Sequence, residues 1–295
     1  MKIQNKWIGY LLWNNHFYGW CIVALSISSG LYLTGKIPSI LLLAASYIAT
    51  VVYYTNAYFN ELPNEHNQAR AIWYQTYHTY LKIRQWVLAF ILLVLMFYVI
   101  VKHPALLNLH FKQIIILLGT VAISALYNTS SLKKNGVFKS VAIAFVWTIV
   151  GGYLPVYFFQ SIETPTPQPQ WLLLFYLFQL FLFILLLAIL FDIKDMQRDK
   201  PVHIQTIPIQ IGLDQINQKI VIPILLSYIS IDVLLSSSLH FTSFAWMLHS
   251  VFYIAIYKAS TVAIKEKSIY KSILWIDGLM ILKGIIDIVS WYLIQ

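Results

Sequence analysis

Residues 171–191 read WLLLFYLFQLFLFILLLAILF, an apolar run of the length that carries a helix across a bilayer, for which about 20 residues are needed. Inside hydrocarbon every backbone N–H and C=O must find its partner within the chain, so such a run is a helix and not an open strand. Hydropathy marks further candidates at residues 17–34, 37–59, 86–101, 111–127, 137–159, 220–239, 241–257 and 273–294. The expected fold class is therefore all-α: a polytopic integral membrane protein of about nine transmembrane helices, with residues 1–295 forming a single transmembrane helical domain.

Composition excludes the soluble classes. Hydrophobic residues make up 59% of the chain and charged residues 11%, with a mean hydropathy of +0.71. Soluble domains carry about 25% charged residues, so this chain lacks the polar coat that one needs. The single cysteine, Cys21, lies in an apolar segment, which rules out an intrachain disulfide and a cysteine-based metal site. Residues 1–18 carry Lys2 and Lys6 with no short apolar core and small-residue cleavage site behind them. They read as a lead-in to the first span and not as a cleaved signal.

The net charge of +9 would suit a nucleic-acid partner, but its distribution assigns it to topology. One face collects Lys2, Lys6, Arg70, Lys82, Arg84, Lys133, Lys134, Lys139, Lys194, Arg198, Lys200, Lys219, Lys258, Lys265, Lys267 and Lys271. The other face has Lys36, Lys102 and Lys112, and Lys283 lies within the last span. Positive residues mark the cytosolic side, which puts the N-terminus in the cytosol and the C-terminus opposite, with a bacterial inner membrane as the expected location. The basic excess needs the lipid bilayer as partner and no nucleic acid.

Two cytosolic connections are long, at about residues 60–85 and 192–219. The Pro-rich stretch 160–170 reads as an external linker. Trp20, Trp86, Trp171, Trp275 and Trp291 fall near span ends, where indole anchors at headgroup level.

Chemistry concentrates in the second long connection. FDIKDMQRDK, residues 191–200, places Asp192, Asp195 and Asp199 directly after the longest apolar run, in a chain with only 11 acidic residues. Spacings of three and four bring all three to one helix face at about 100° per residue. Converging carboxylates repel one another and suit a hard divalent cation, Mg²⁺, which shares its coordination with substrate phosphates. Lys194, Arg198 and Lys200 are interleaved with them, and the alternative is an ordinary charged helix end.

The first long connection opens with TNAYFNELPNEHNQAR, residues 55–70, four helices before the second. The pair resembles the UbiA superfamily of intramembrane prenyltransferases, which has nine helices around a central cavity, an NDxxDxxxD motif after the second helix and a DxxDxxxD motif after the sixth. Asp192, Asp195 and Asp199 fall on the second motif, and Thr206-Ile207-Pro208 with Gly212 is similar to the family's following segment. Tyr127-Asn128-Thr129-Ser130 ahead of Lys133 and Lys134 is similar to its Tyr-Ser loop. Asp277-Gly278-Leu279 is similar to a segment of some members. The first motif departs from the pattern: Asn56 keeps the leading Asn, while Ala57, Asn60 and Asn64 stand at the acidic positions, with Glu61 and Glu65 one residue on.

The resemblance implies a transferase that moves a polyprenyl group from an isoprenyl diphosphate to a lipophilic aromatic, quinone or lipid acceptor. It implies Mg²⁺ as cofactor, held by Asp192, Asp195 and Asp199 and completed by Asn56, Asn60 and Asn64 or by Glu61 and Glu65. The Asp residues are the expected catalytic set. Arg70, Lys133, Lys134, Arg198, Lys200 and Tyr127 are the expected diphosphate ligands. The alternatives are cyclisation of the prenyl chain on the same scaffold, and an isoprenoid-binding descendant without catalysis.

Charge inside a span is costly and calls for a partner. Lys283 and Asp287, four apart on the last helix, are expected to neutralise each other. Asp232 is expected to bond a neighbouring helix or face the cavity, and Asp277 to be structural or part of the pocket rim.

Overall fold

A computed structural model describes residues 6–59, 68–107, 111–128, 136–162, 169–199, 204–265 and 269–293, and among these no strand occurs. The helices are α1 (Lys6–Trp13), α2 (His16–Thr34), α3 (Ile40–Tyr58), α4 (Gln68–Thr76), α5 (His78–Lys102), α6 (Phe111–Asn128), α7 (Gly136–Thr148), α8 (Leu154–Ile162), α9 (Gln170–Asp199), α10 (Ile207–Ile211), α11 (Leu213–Ile216), α12 (Ile222–Ser238), α13 (Ser243–Lys265), α14 (Ile269–Ser272) and α15 (Gly278–Tyr292).

Seven stretches among the described residues are long and apolar enough to cross a membrane: α2, α3, α5, Gly136–Phe158, Gln170–Lys194, Leu213–Ser238 and α13. Of the other two expected spans, Phe111–Tyr127 is a shorter apolar helix. The last is helical through α14, a π-helical turn and α15, but carries Lys271, Asp277, Lys283 and Asp287. Boundaries also differ from the hydropathy reading. The third span begins at His78 and not at residue 86, and α9 runs on through the three-Asp segment to Asp199.

Local chemistry sets the ends. Asn15, at φ 61°, takes the left-handed conformation that turns α1 into α2. Gly35, at φ 71°, ends α2 with its N–H on the Leu31 carbonyl, a conformation that costs a glycine nothing. The Ser39 hydroxyl then accepts the Leu42 N–H at 3.3 Å and starts α3. Two of the π-helical turns, Ile149–Tyr153 and Asn217–Val221, lie just before Pro155 and Pro223. A proline has no N–H for the carbonyl one turn back, so the backbone pairing slips there.

The helices pass back and forth between two ends, called here the Asp192 end and the Gly35 end. Helix α2 is the axle, packing along α3 and α15, while α9 packs along α7 and α12. Gly284 lets α15 close on α2: a Cβ there would lie 2.7 Å from the Ala24 Cβ and 2.8 Å from its carbonyl oxygen. Lipid tails supply no hydrophobic drive between helices, so such close approaches and interhelical hydrogen bonds hold the bundle. Leu25, Tyr176, Phe183, Tyr228, Phe252 and Ile276 are buried in its core. Helix α5 is peripheral and exposes Trp86, Phe90, Leu93, Phe97 and Val101. Trp20, Trp86, Trp171 and Trp275 are exposed as interfacial anchors would be, whereas Trp291 is half-buried against Gly35.

Candidate functional site

At the Asp192 end, the last turns of α9 carry Asp192 inward, where it is 2% exposed. The Lys139 ammonium donates to its Oδ1 at 2.6 Å, and the Ser140 hydroxyl donates to its Oδ2 at 2.8 Å. Both donors sit on the first turn of α7. Gly136 allows that turn to lie against the backbone of Thr206, where a Cβ would come within 2.3 Å of the Thr206 Cα. The segment before α10, picked out in the sequence by its Thr-Ile-Pro, thus braces the helix that neutralises Asp192.

Aromatic side chains gather at the same end of the bundle. The Tyr54 ring stacks on Tyr18 with centroids 4.4 Å apart, and its hydroxyl accepts from the Trp147 indole at 2.9 Å. The Arg70 guanidinium, 4% exposed, lies 3.9 Å above the Tyr58 ring. Tyr127 on α6 lies within electrostatic reach of Lys139, Tyr58 and Asp192. Asp277, in the π-helical turn before α15, is buried and lies within reach of Tyr18 and Tyr54.

The structure thus brings Asp192, Arg70 and Tyr127 to one end of the bundle, although they come from three separate stretches of sequence. Asn56 is exposed on the last turn of α3, and Ala57 is half-buried. Asp195, Arg198 and Asp199 lie on α9, with their side chains outside the described residues. Asn60, Glu61, Asn64, Glu65, Lys133, Lys134 and Lys200 lie outside the described residues altogether. Sequence reasoning counted Lys139 as a topology charge and passed over Ser140, Tyr54, Tyr58 and Trp147. The available signal was a lysine one turn into an apolar helix, where a charge requires a partner.

Of the residues expected to hold Mg²⁺, the described side chains are Asp192 and Asn56. Both oxygens of Asp192 already accept hydrogen bonds, one from a cation, and Asn56 is exposed. These two do not by themselves fit a Mg²⁺ site. Among the described residues no group of three or more His, Cys, Asp or Glu side chains gathers to hold a metal.

A second polar cluster lies nearer the Gly35 end. Asp232 on α12 accepts from Gln179 at 2.5 Å and from the Tyr253 hydroxyl. It also faces His249 Nδ1 at 2.7 Å, and since a carboxylate only accepts, Nδ1 carries the proton. The expected pair forms on α15, with Lys283 Nζ donating to Asp287 at 2.8 Å. Ser28 on α2 donates to the same carboxylate and meets the Tyr176 hydroxyl at 2.8 Å. His249 Nε2 stands 3.9 Å from Asp287 and 3.3 Å from the Tyr32 hydroxyl. Five helices therefore meet on a buried polar core, which answers the expectation for Asp232 with partners on two neighbouring helices and Lys283 within reach on a third.

Comparison with protein-family models, curated proteins and solved structures gives no match to this chain.

Proposed function

We propose that the chain is an intramembrane prenyltransferase that takes an isoprenyl diphosphate at the Asp192 end and passes its prenyl group to a lipophilic acceptor. The observation that carries this reading is convergence: Arg70, Tyr127 and Asp192, chosen from separate motifs in the sequence, meet at one end with Tyr18, Tyr54, Tyr58 and Trp147. An allylic cation needs such a place. Aromatic faces stabilise positive charge, and closely packed apolar surroundings would keep water from an allylic cation. The Arg70 guanidinium, 3.9 Å over the Tyr58 ring, is of a type that pairs with phosphate oxygens. Mg²⁺, which only the sequence resemblance implies, would supply charge neutralisation for the leaving diphosphate. The distribution of Lys and Arg supports a cytosolic N-terminus.

One observation favours a second reading, isoprenoid binding without transfer. Lys139 already neutralises Asp192, and Ala57 stands where the family's first motif has an acid. Purified protein with labelled geranylgeranyl diphosphate and a membrane lipid extract separates the two. Transfer predicts release of diphosphate and a new labelled lipid, both lost in Asp192→Ala. Retention of intact geranylgeranyl diphosphate with no release supports the second reading, and no retention at all rejects both.

A further inference from the structure

Arg84 has no part in either cluster. It lies on the second turn of α5 and donates from Nη2 to the Thr55 hydroxyl at 2.9 Å, while its Nε and Nη1 are buried without an acceptor. Most of the five N–H donors of this guanidinium are thus unmatched. Native structures rarely leave buried donors so, least of all charged ones.

The surroundings explain what is missing. Thr55 also accepts from Asn15 Nδ2 at 3.1 Å, and Asn15 Nδ2 lies 2.8 Å from the Tyr74 hydroxyl. Asn15 Oδ1 and Gln85 Oε1 are buried acceptors without donors. Tyr10, His16 and Tyr47 form a stacked shelf within electrostatic reach of Arg84, with the exposed Trp20 edge-on to Tyr47. The exposed Tyr10 and Tyr80 hydroxyls touch at 3.4 Å, and the Tyr80 ring lies 6.0 Å from the guanidinium. Trp86, two residues on, is 73% exposed. Exposed tryptophan and tyrosine mark headgroup depth, where basic pockets between helices take anionic lipid.

We propose that Arg84 binds the phosphate of a phospholipid headgroup, with Asn15 and Gln85 accepting from the hydroxyls beside it, and that the headgroup enters by parting the Tyr10–Tyr80 contact. The guanidinium fork matches two phosphate oxygens. The spare acceptors on Asn15 and Gln85 match hydroxyl donors beside the phosphate, so the glycerol headgroup of phosphatidylglycerol fits and the choline headgroup, which has no donor, does not. Nothing in this site depends on the prenyl-transfer reading.

The test uses delipidated full-length protein in a neutral detergent, with thermal unfolding and native mass spectrometry as readouts. Dioleoylphosphatidylglycerol is expected to raise the unfolding temperature and to remain bound, with at least a tenfold loss of affinity in Arg84→Gln and an intermediate loss in Arg84→Lys. Dioleoylphosphatidylcholine and inorganic phosphate are expected to do neither. An equal response in wild type and Arg84→Gln overturns the site. The full effect from inorganic phosphate overturns the lipid, and the full effect from phosphatidylcholine overturns the glycerol headgroup. If Arg84→Gln is not recovered folded, Arg84→Lys decides, because it keeps the charge and loses the fork.

Discussion

At the scale of single residues, the decisive contact is the pair Lys139–Asp192, with 2.6 Å between charged atoms and both residues buried. Removing one partner of a buried ion pair costs about 3–5 kcal/mol. Lys139→Met is therefore expected to destabilise the protein by that order, and Lys139→Met with Asp192→Leu to recover most of the loss, measured as a double-mutant cycle of unfolding in detergent. Tyr74 gives a pH prediction. Burial pushes its hydroxyl up to about 12, so it stays protonated and its contact with Asn15 persists through neutral pH. The neutral form is the one stabilised, so its contribution is constant below about pH 10, the ordinary tyrosine value, and fades above it. Tyr74→Phe should cost about 1 kcal/mol at pH 6 and the same at pH 9. A cost that differs between those pH values would contradict this assignment.

At the scale of elements, close approach matters more than apolar area. Gly284 meets the Ala24 backbone and side chain, whereas Gly119 on α6 has nothing within 4 Å of an added Cβ. Gly284→Leu is expected to cost about 1–3 kcal/mol by forcing α15 from α2. Gly119→Ala is expected to be neutral or to stabilise by up to about 1 kcal/mol, since alanine suits a helix better. Unfolding in the same detergent checks both. The long apolar helices were legible because hydropathy reads length and composition directly. The early start of α5 was not, since residues 78–85 are mostly polar and join the helix through contacts such as Arg84 with Thr55 and Gln85 with the Val52 carbonyl. The Lys283–Asp287 pair was legible from its spacing of four. The partners of Asp232, drawn from Gln179, His249 and Tyr253, come from other helices and leave no local trace.

At the scale of the whole molecule, the chain is an all-helical protein with the apolar helices of a multi-pass membrane protein, and its two polar centres lie towards opposite ends. The sequence pointed to the Asp192 end through the Asp spacing and the Arg70 and Tyr127 segments. It did not show that Lys139 answers Asp192, because residues 53 positions apart carry no pairing signal in a single sequence. The orientation expected from the basic residues is open to a direct check. A single cysteine introduced at Lys36 should react with a membrane-impermeant maleimide in intact cells, and one at Lys258 only after the cells are permeabilised, with the buried Cys21 silent in both. The central claim is that the Asp192 end takes an isoprenyl diphosphate, and its most direct test is binding of geranylgeranyl diphosphate to the purified protein with and without Mg²⁺, in wild type and in Asp195→Ala. The account predicts binding that needs both the metal and Asp195. Binding indifferent to both, or no binding, would contradict it.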